Sequence, residues 1–182
     1  MIQLFGEKPA YPSVLVPSRL NYFSSQLLNE KYTADYFIQN HTILPYYLPF
    51  ISVDKATRLI EGTKEDGGRS LFMLSGMASS NLFKKNKLYY CPLCIEDDIK
   101  AVGEPYFHRK HQLEGVMICY MHGCFLEEYK PYSEKTSNAR PVRLIKDLLD
   151  NHLPKWPEKK IANWLNEIAL ISDAIVATSY QQ

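Results

Sequence analysis

Apolar positions in the first half of the chain recur at helical spacing. Leu20, Phe23, Leu27 and Leu28 share one face, with Ser18 placed as a cap, so a helix is predicted from Ser18 onward. A second helix, from about Ala34 to Ile43, starts after Thr33 and stops where Pro45 forbids continuation. The run LPYYLPF then turns the chain on its two prolines, and its aromatic side chains are expected in the core. Ser52 opens a short third helix with Ala56, Leu59 and Ile60 on one side, ending near Gly62. Beyond the turn residues EDGG, the positions Leu71, Phe72, Leu74 and Met77 predict a further helix over Arg69 to Met77. Short helices joined by tight turns make a mainly α, small helical bundle. It is a candidate helix-turn-helix, although helix pairs of this kind serve more often as plain bundle parts. Ahead of it, Pro9, Pro12 and Pro17 without periodicity read as an extended arm.

The pattern changes between Leu88 and Tyr129. Helical periodicity fades, and cysteines, histidines, aromatics and short apolar runs such as GVMIC replace it. A separate zinc-ribbon or zinc-knuckle module, inserted at 88–129, is the expectation. Helical spacing returns after Arg140 with Leu144, Ile145, Leu148 and Leu149, and a last helix contains Ile161, Trp164, Leu165, Ile168 and Ile171. The predicted organisation is therefore an N-terminal arm and helical module over 1–87, a metal module over 88–129 and a C-terminal helical segment over 130–182.

Composition narrows the class. The 182 residues are 46% hydrophobic and 23% charged, as in globular proteins that bury a real core. No apolar run approaches the roughly 18 residues needed to span a bilayer, and the first 20 residues lack the regions of a signal peptide. A cytoplasmic location and reduced thiols are expected. With a net charge of +1, the chain has no general basic excess, so any nucleic-acid contact must be local. Lys84, Lys85 and Lys87, with Arg109 and Lys110, are the candidate cations; either cluster alone reads first as a solvated face.

The chemistry concentrates in Cys91 and Cys94, followed by Cys119 and His122. Two pairs with two-residue gaps let two tight turns aim four donors at one ion, and thiolate with imidazole is a donor set that suits structural zinc. Pro92 presets the first turn, and Gly123 gives the second its backbone freedom. Rival sets replace His122 by Cys124, or use His108 or His111. Cys124 ranks lower because Cys-x4-Cys closes a looser turn. All four positions being protein, the zinc is expected to be structural, contributing folding energy to a module too small to bury much core. No nucleotide loop or metalloprotease motif occurs, and the acids Glu96, Asp97 and Asp98 read as surface charge.

Three phrases, VPSRLNYFSSQL, HTILPYYLPF and YYCPLCIEDD…GEPYFHRKHQLEGVMICYMHG, resemble the TniQ/TnsD family of target-selection proteins of bacterial cut-and-paste transposons, over roughly residues 16 to 128. Glu114 and Tyr120 depart from the pattern, standing where the family often has proline. The segment before PSRL is short for the family, and the part after Arg140 reads as the beginning of further helical domains or the end of a short member. The resemblance implies a zinc-bearing adaptor, not an enzyme, held by Cys91, Cys94, Cys119 and His122. Such an adaptor recognises an insertion site, as double-stranded DNA or through a DNA-bound complex, and recruits the transposon's AAA+ ATPase regulator. No membrane and no small-molecule substrate are implied. The alternative is a zinc-stabilised protein-interaction module without DNA binding of its own, docking through aromatics around Tyr46, Tyr47 and Tyr106.

Overall fold

A computed structural model describes residues 17–66, 85, 87–129 and 153–178. The chain divides into two compact units, residues 1–82 with 175–182, and residues 83–174. The described residues are mainly helical, as the periodicity predicts. Among them, no helix is long and apolar enough to cross a membrane. The arm before Pro17, the helix expected over Arg69 to Met77 and the segment from Arg140 to Leu149 lie outside the described residues.

The first unit is built on α1 (Leu20–Ser25), α2 (Ala34–His41), α3 (Leu44–Tyr47) and α4 (Val53–Lys64). Leu20, Ala34, Ile38, Leu44 and Leu59 form its buried core, with Phe23, Phe37, Ile51 and Ile60 packed against it. Each of the three leucines and Ile38 contributes about 1.5–3 kcal/mol when fully buried. Phe23 and Phe37 meet edge to face at 4.9 Å, which couples α1 to α2. The Thr33 hydroxyl accepts the Tyr36 N–H at 3.1 Å and caps α2 as expected.

Several boundaries differ from the sequence reading. The cap of α1 is Arg19, not Ser18, and the helix ends at Ser25, leaving Leu28 fully exposed. Arg19 adopts a left-handed conformation at φ 63°; its N–H donates to the Glu65 carbonyl at 2.6 Å, and its Nε lies 3.3 Å from Asp66. The strained residue is thus held by the C-terminal end of α4. Helix α2 stops at His41, before Pro45 acts: the Thr42 hydroxyl donates to the Ile38 carbonyl and accepts the Leu44 N–H, redirecting the chain. Pro45 and Pro49 then sit in first-turn positions of α3 and of a 3-10 turn, Leu48–Phe50, where the missing N–H costs nothing. Tyr47 is buried, but Phe50 is exposed rather than in the core. Ser52 precedes α4 as predicted, but its side chain accepts no capping hydrogen bond, and α4 continues through Gly62 to Lys64.

The second unit carries β1 (Tyr89–Tyr90), α5 (Pro92–Val102), a 3-10 turn Arg109–Gln112, β2 (Glu127–Glu128) and most of α6 (Lys159–Thr178). β1 and β2 are antiparallel, with Tyr89 opposite Glu128 and Tyr90 opposite Glu127. An eleven-residue helix, α5, is therefore present where helical periodicity fades. In α6 the buried positions are Ala169, Ser172 and Val176, while Ile161, Trp164, Ile168 and Ile171 are exposed.

Candidate metal centre

The two cysteine pairs occupy different local structures. Cys91 leaves β1 in extended conformation and caps α5, its sulfur accepting the Cys94 N–H at 3.4 Å. Pro92 sits at the first helical position, where its fixed φ suits the helix, so Cys94 emerges one turn in, beside Cys91. The second pair lies on a tight hairpin. Ile118 and Phe125 bridge its arms, the Cys119 N–H donates to the Cys124 carbonyl at 2.9 Å, and the Gly123 N–H donates to the Cys119 carbonyl at 2.7 Å. Gly123 is left-handed at φ 66°, which a side chain would resist.

These turns bring Cys91, Cys94, Cys119 and His122 together. His122 Nδ1 lies 3.5, 3.4 and 3.6 Å from the sulfurs of Cys91, Cys94 and Cys119, and the Cys94 and Cys119 sulfurs are 3.5 Å apart. Zinc bond lengths of about 2.3 Å to sulfur and 2.0–2.1 Å to nitrogen imply tetrahedron edges of about 3.5–3.8 Å. The donors therefore fit a tetrahedral ion of that size. Cys124 stands outside the tetrahedron, buried, with its sulfur 3.5 Å from that of Cys91. Burial, then the neighbouring Cys91, pushes the Cys124 thiol up to about 12, so it keeps its proton and donates to Cys91.

Electrostatics point the same way. Hydrogen bonds from Cys119 and then Cys94 push Cys91 down to about 3, whereas contacts with Cys119 and Cys91 push Cys94 up. The sulfurs thus share negative charge through S–H donors, and a divalent cation is what allows all three to ionise together.

The acids of α5 are not mere surface charge. Asp97 Oδ2 accepts from His122 Nε2 at 3.1 Å, which turns Nδ1 toward the sulfurs and fixes the tautomer. Asp98 is buried and holds His108 Nε2 at 2.9 Å. Glu96 and Asp97 are both exposed, as expected of surface acids, and Glu96 lies 4.0 Å from Lys100. Both aspartates lie three and four residues beyond Cys94, on the same helix face; that spacing would have found them had the stretch been read as a helix.

The His-Gln-Leu phrase also acquires roles. Gln112 mimics a strand partner: its amide donates to the Tyr89 and His108 carbonyls, and its oxygen accepts the Tyr89 N–H. Leu113 is fully buried, and so is His111, which burial pushes toward the neutral form.

The candidate cations are engaged inside the unit. Lys85 donates to the carbonyls of His111, at 2.6 Å, and Val116, and burial pushes it down to about 7. Lys87 pairs with Glu128 at 2.6 Å, Lys110 pairs with Asp173, and half-buried Arg109 lies beside that same aspartate. Lys84 lies outside the described residues. Of the candidate docking aromatics, Tyr106 is exposed and Tyr47 is buried.

Comparison with known proteins places this site in a family. The chain is 23% identical over 125 residues to the transposon Tn7 transposition protein TnsD of Escherichia coli, covering 68% of this chain and 25% of that protein. It thus spans about a quarter of that relative's length. The TniQ family model matches residues 12–126, which enclose Cys91, Cys94, Cys119 and His122, and the chain belongs to the TniQ family.

Proposed function

We propose that this chain is a target-selection adaptor of transposition whose second unit is organised by one structural zinc. The observation that carries the reading is the tetrahedral set of Cys91, Cys94, Cys119 and His122 inside the stretch matched by the TniQ family. The ion would join the start of α5 to the Cys119 hairpin and supply folding energy. With all four positions filled by protein, no group is left to activate a water, and the role is binding rather than turnover. The adaptor recognises an insertion site, as duplex DNA or a DNA-bound complex, and recruits the transposon's AAA+ ATPase regulator. Contacts to phosphate fall to Lys84, Lys87, Arg109 and Lys110, and Lys85 is the weakest of the set because its amine is spent on two carbonyls.

One observation favours a second reading, a protein-interaction module without DNA binding of its own. Lys87 and Lys110 already have carboxylate partners, which phosphate would have to displace, and Val102, Tyr106, Met117 and Met121 are exposed on the same unit. A salt titration of duplex binding separates the two. Phosphate contacts through three or four cations give a log–log slope of about −2.7 to −3.6. A slope near zero, with the ATPase regulator still captured, favours the second reading.

A further inference from the structure

The second unit contains a cavity of about 220 Å³ in which the metal centre has no part, walled by Tyr89, Val116, Met117, Phe125 and Leu126. Lys85 is the charged residue among those that line it. The Cys119 hairpin forms one wall, closed where the Leu126 N–H donates to the Met117 carbonyl at 2.9 Å, and β1 contributes Tyr89. The volume falls below the roughly 300–1,000 Å³ of sites for drug-sized molecules, so the cavity suits one large side chain and the group next to it.

Lys85 carries the chemistry of this cavity. Its Nζ donates to the His111 carbonyl at 2.6 Å and to the Val116 carbonyl, and lies 4.7 Å from the centre of the Tyr89 ring. All three partners are neutral. An ammonium has three N–H donors, so two carbonyls leave one over. Lys64, Lys87 and Lys110 each have a carboxylate, in Asp35, Glu128 and Asp173, whereas no carboxylate of the described residues pairs with Lys85. A desolvated cation without a counter-charge is costly, and burial accordingly pushes this amine down to about 7. A purely structural strut accounts for the two carbonyls. It does not account for an open apolar cavity beside a spare donor, or for the missing counter-charge.

We infer that this cavity is a socket for an acidic peptide, taking a large apolar side chain against Met117, Phe125 and Leu126 and an adjoining Asp or Glu side-chain carboxylate on Lys85. The socket goes beyond the target-selection reading and needs no contact with DNA. Charge complementarity selects the carboxylate. A side-chain carboxylate fits better than the end of a chain, because capture of a terminal carboxylate draws on several free backbone N–H groups. Those of Tyr89, Val116, Phe125 and Leu126 already donate to Gln112 Oε1 and to the carbonyls of Leu113, Lys155 and Met117. Met117, 47% exposed, supplies an adaptable apolar rim.

The test uses the full zinc-loaded chain, with a blocked leucyl-aspartyl dipeptide as probe and its leucyl-asparaginyl counterpart as the neutral control. The aspartyl probe should saturably shift the NMR signals of the Met117 methyl and the Lys85 side chain, and should raise the Lys85 titration above its value without peptide. The asparaginyl control should bind at least about tenfold more weakly, as expected for loss of a charge-assisted hydrogen bond. Lys85→Met should bind both peptides equally. Absence of saturable shifts at Met117 and Lys85, or equal binding of the two peptides by the wild type, overturns the inference while leaving the metal centre and the duplex-binding test untouched. Tighter binding of N-acetylleucine, which offers a terminal carboxylate, overturns the choice of a side-chain carboxylate. Should Lys85→Met fail to fold, the wild-type comparison of the two peptides decides.

Discussion

His122 and Cys124 test the ligand set, because both sit on the same hairpin and only one completes the tetrahedron. His122→Ala removes the nitrogen that lies 3.4–3.6 Å from three sulfurs, and should give a cobalt-loaded protein of altered coordination and weakened metal retention. Cys124→Ser should keep the cobalt spectrum of three sulfurs and one nitrogen. Loss of a sulfur-to-cobalt band in Cys124→Ser, with none in His122→Ala, would reverse the assignment. Asp97→Asn should preserve the ligands yet weaken zinc binding by about 10- to 100-fold, measured by competition with a chromophoric chelator. That Cys91, Cys94, Cys119 and His122 gather in one place was legible because their spacing is a local property of two turns. The partners of Asp97 and Asp98 were not, since His122 and His108 lie outside α5 and acids more often serve as surface charge.

At the scale of elements, α5 shows why pattern reading falls short. Its first turn is Pro-Leu-Cys-Ile, its cap is a cysteine sulfur in place of Ser, Thr or Asp, and acids interrupt its apolar face. The remaining signals were nonetheless present: Pro92 at the first position, and Gly103 after the last, left-handed at φ 87°. Helices α2 and α4, with Thr33 and Ser52 before them and unbroken periodicity, were legible to within a few residues. Leu27 and Leu28 misled because their apolar spacing continues past Ser25, where the chain leaves the helix. Gly123 gives the hairpin's prediction. A methyl group there meets nothing within 4 Å, so Gly123→Ala suffers only the left-handed backbone penalty, about 1–2 kcal/mol. Chemical denaturation of the zinc-loaded protein should read that loss, and a neutral result would mean that the turn adopts another conformation. Thr33→Ala should lose a comparable amount, about 1 kcal/mol, through the cap of α2.

Across the whole chain, stability should depend on pH and metal in separable ways. Burial pushes the Lys85 amine down to about 7 in the folded chain, from an ordinary value of 10.5. Between those values the unfolded chain binds the extra proton, so wild-type stability relative to Lys85→Met should rise with pH through this window and be level below it. Metal removal acts elsewhere. The core of Leu20, Ala34, Ile38, Leu44 and Leu59 contains none of the candidate ligands, whereas the cluster of Cys91, Cys94, Cys119 and Cys124 consists of three of them and their immediate neighbour. Without an ion, three thiols and an imidazole remain packed at 3.4–3.6 Å with only shared protons between them. A chelator under reducing conditions should therefore abolish hydrogen-exchange protection over 88–129 while leaving it in α4. Return of protection on adding one equivalent of zinc would tie the loss to the metal. Uniform loss across both regions would instead mean that the helical core depends on the ion, and retained protection over 88–129 would mean that the cysteine cluster packs without one.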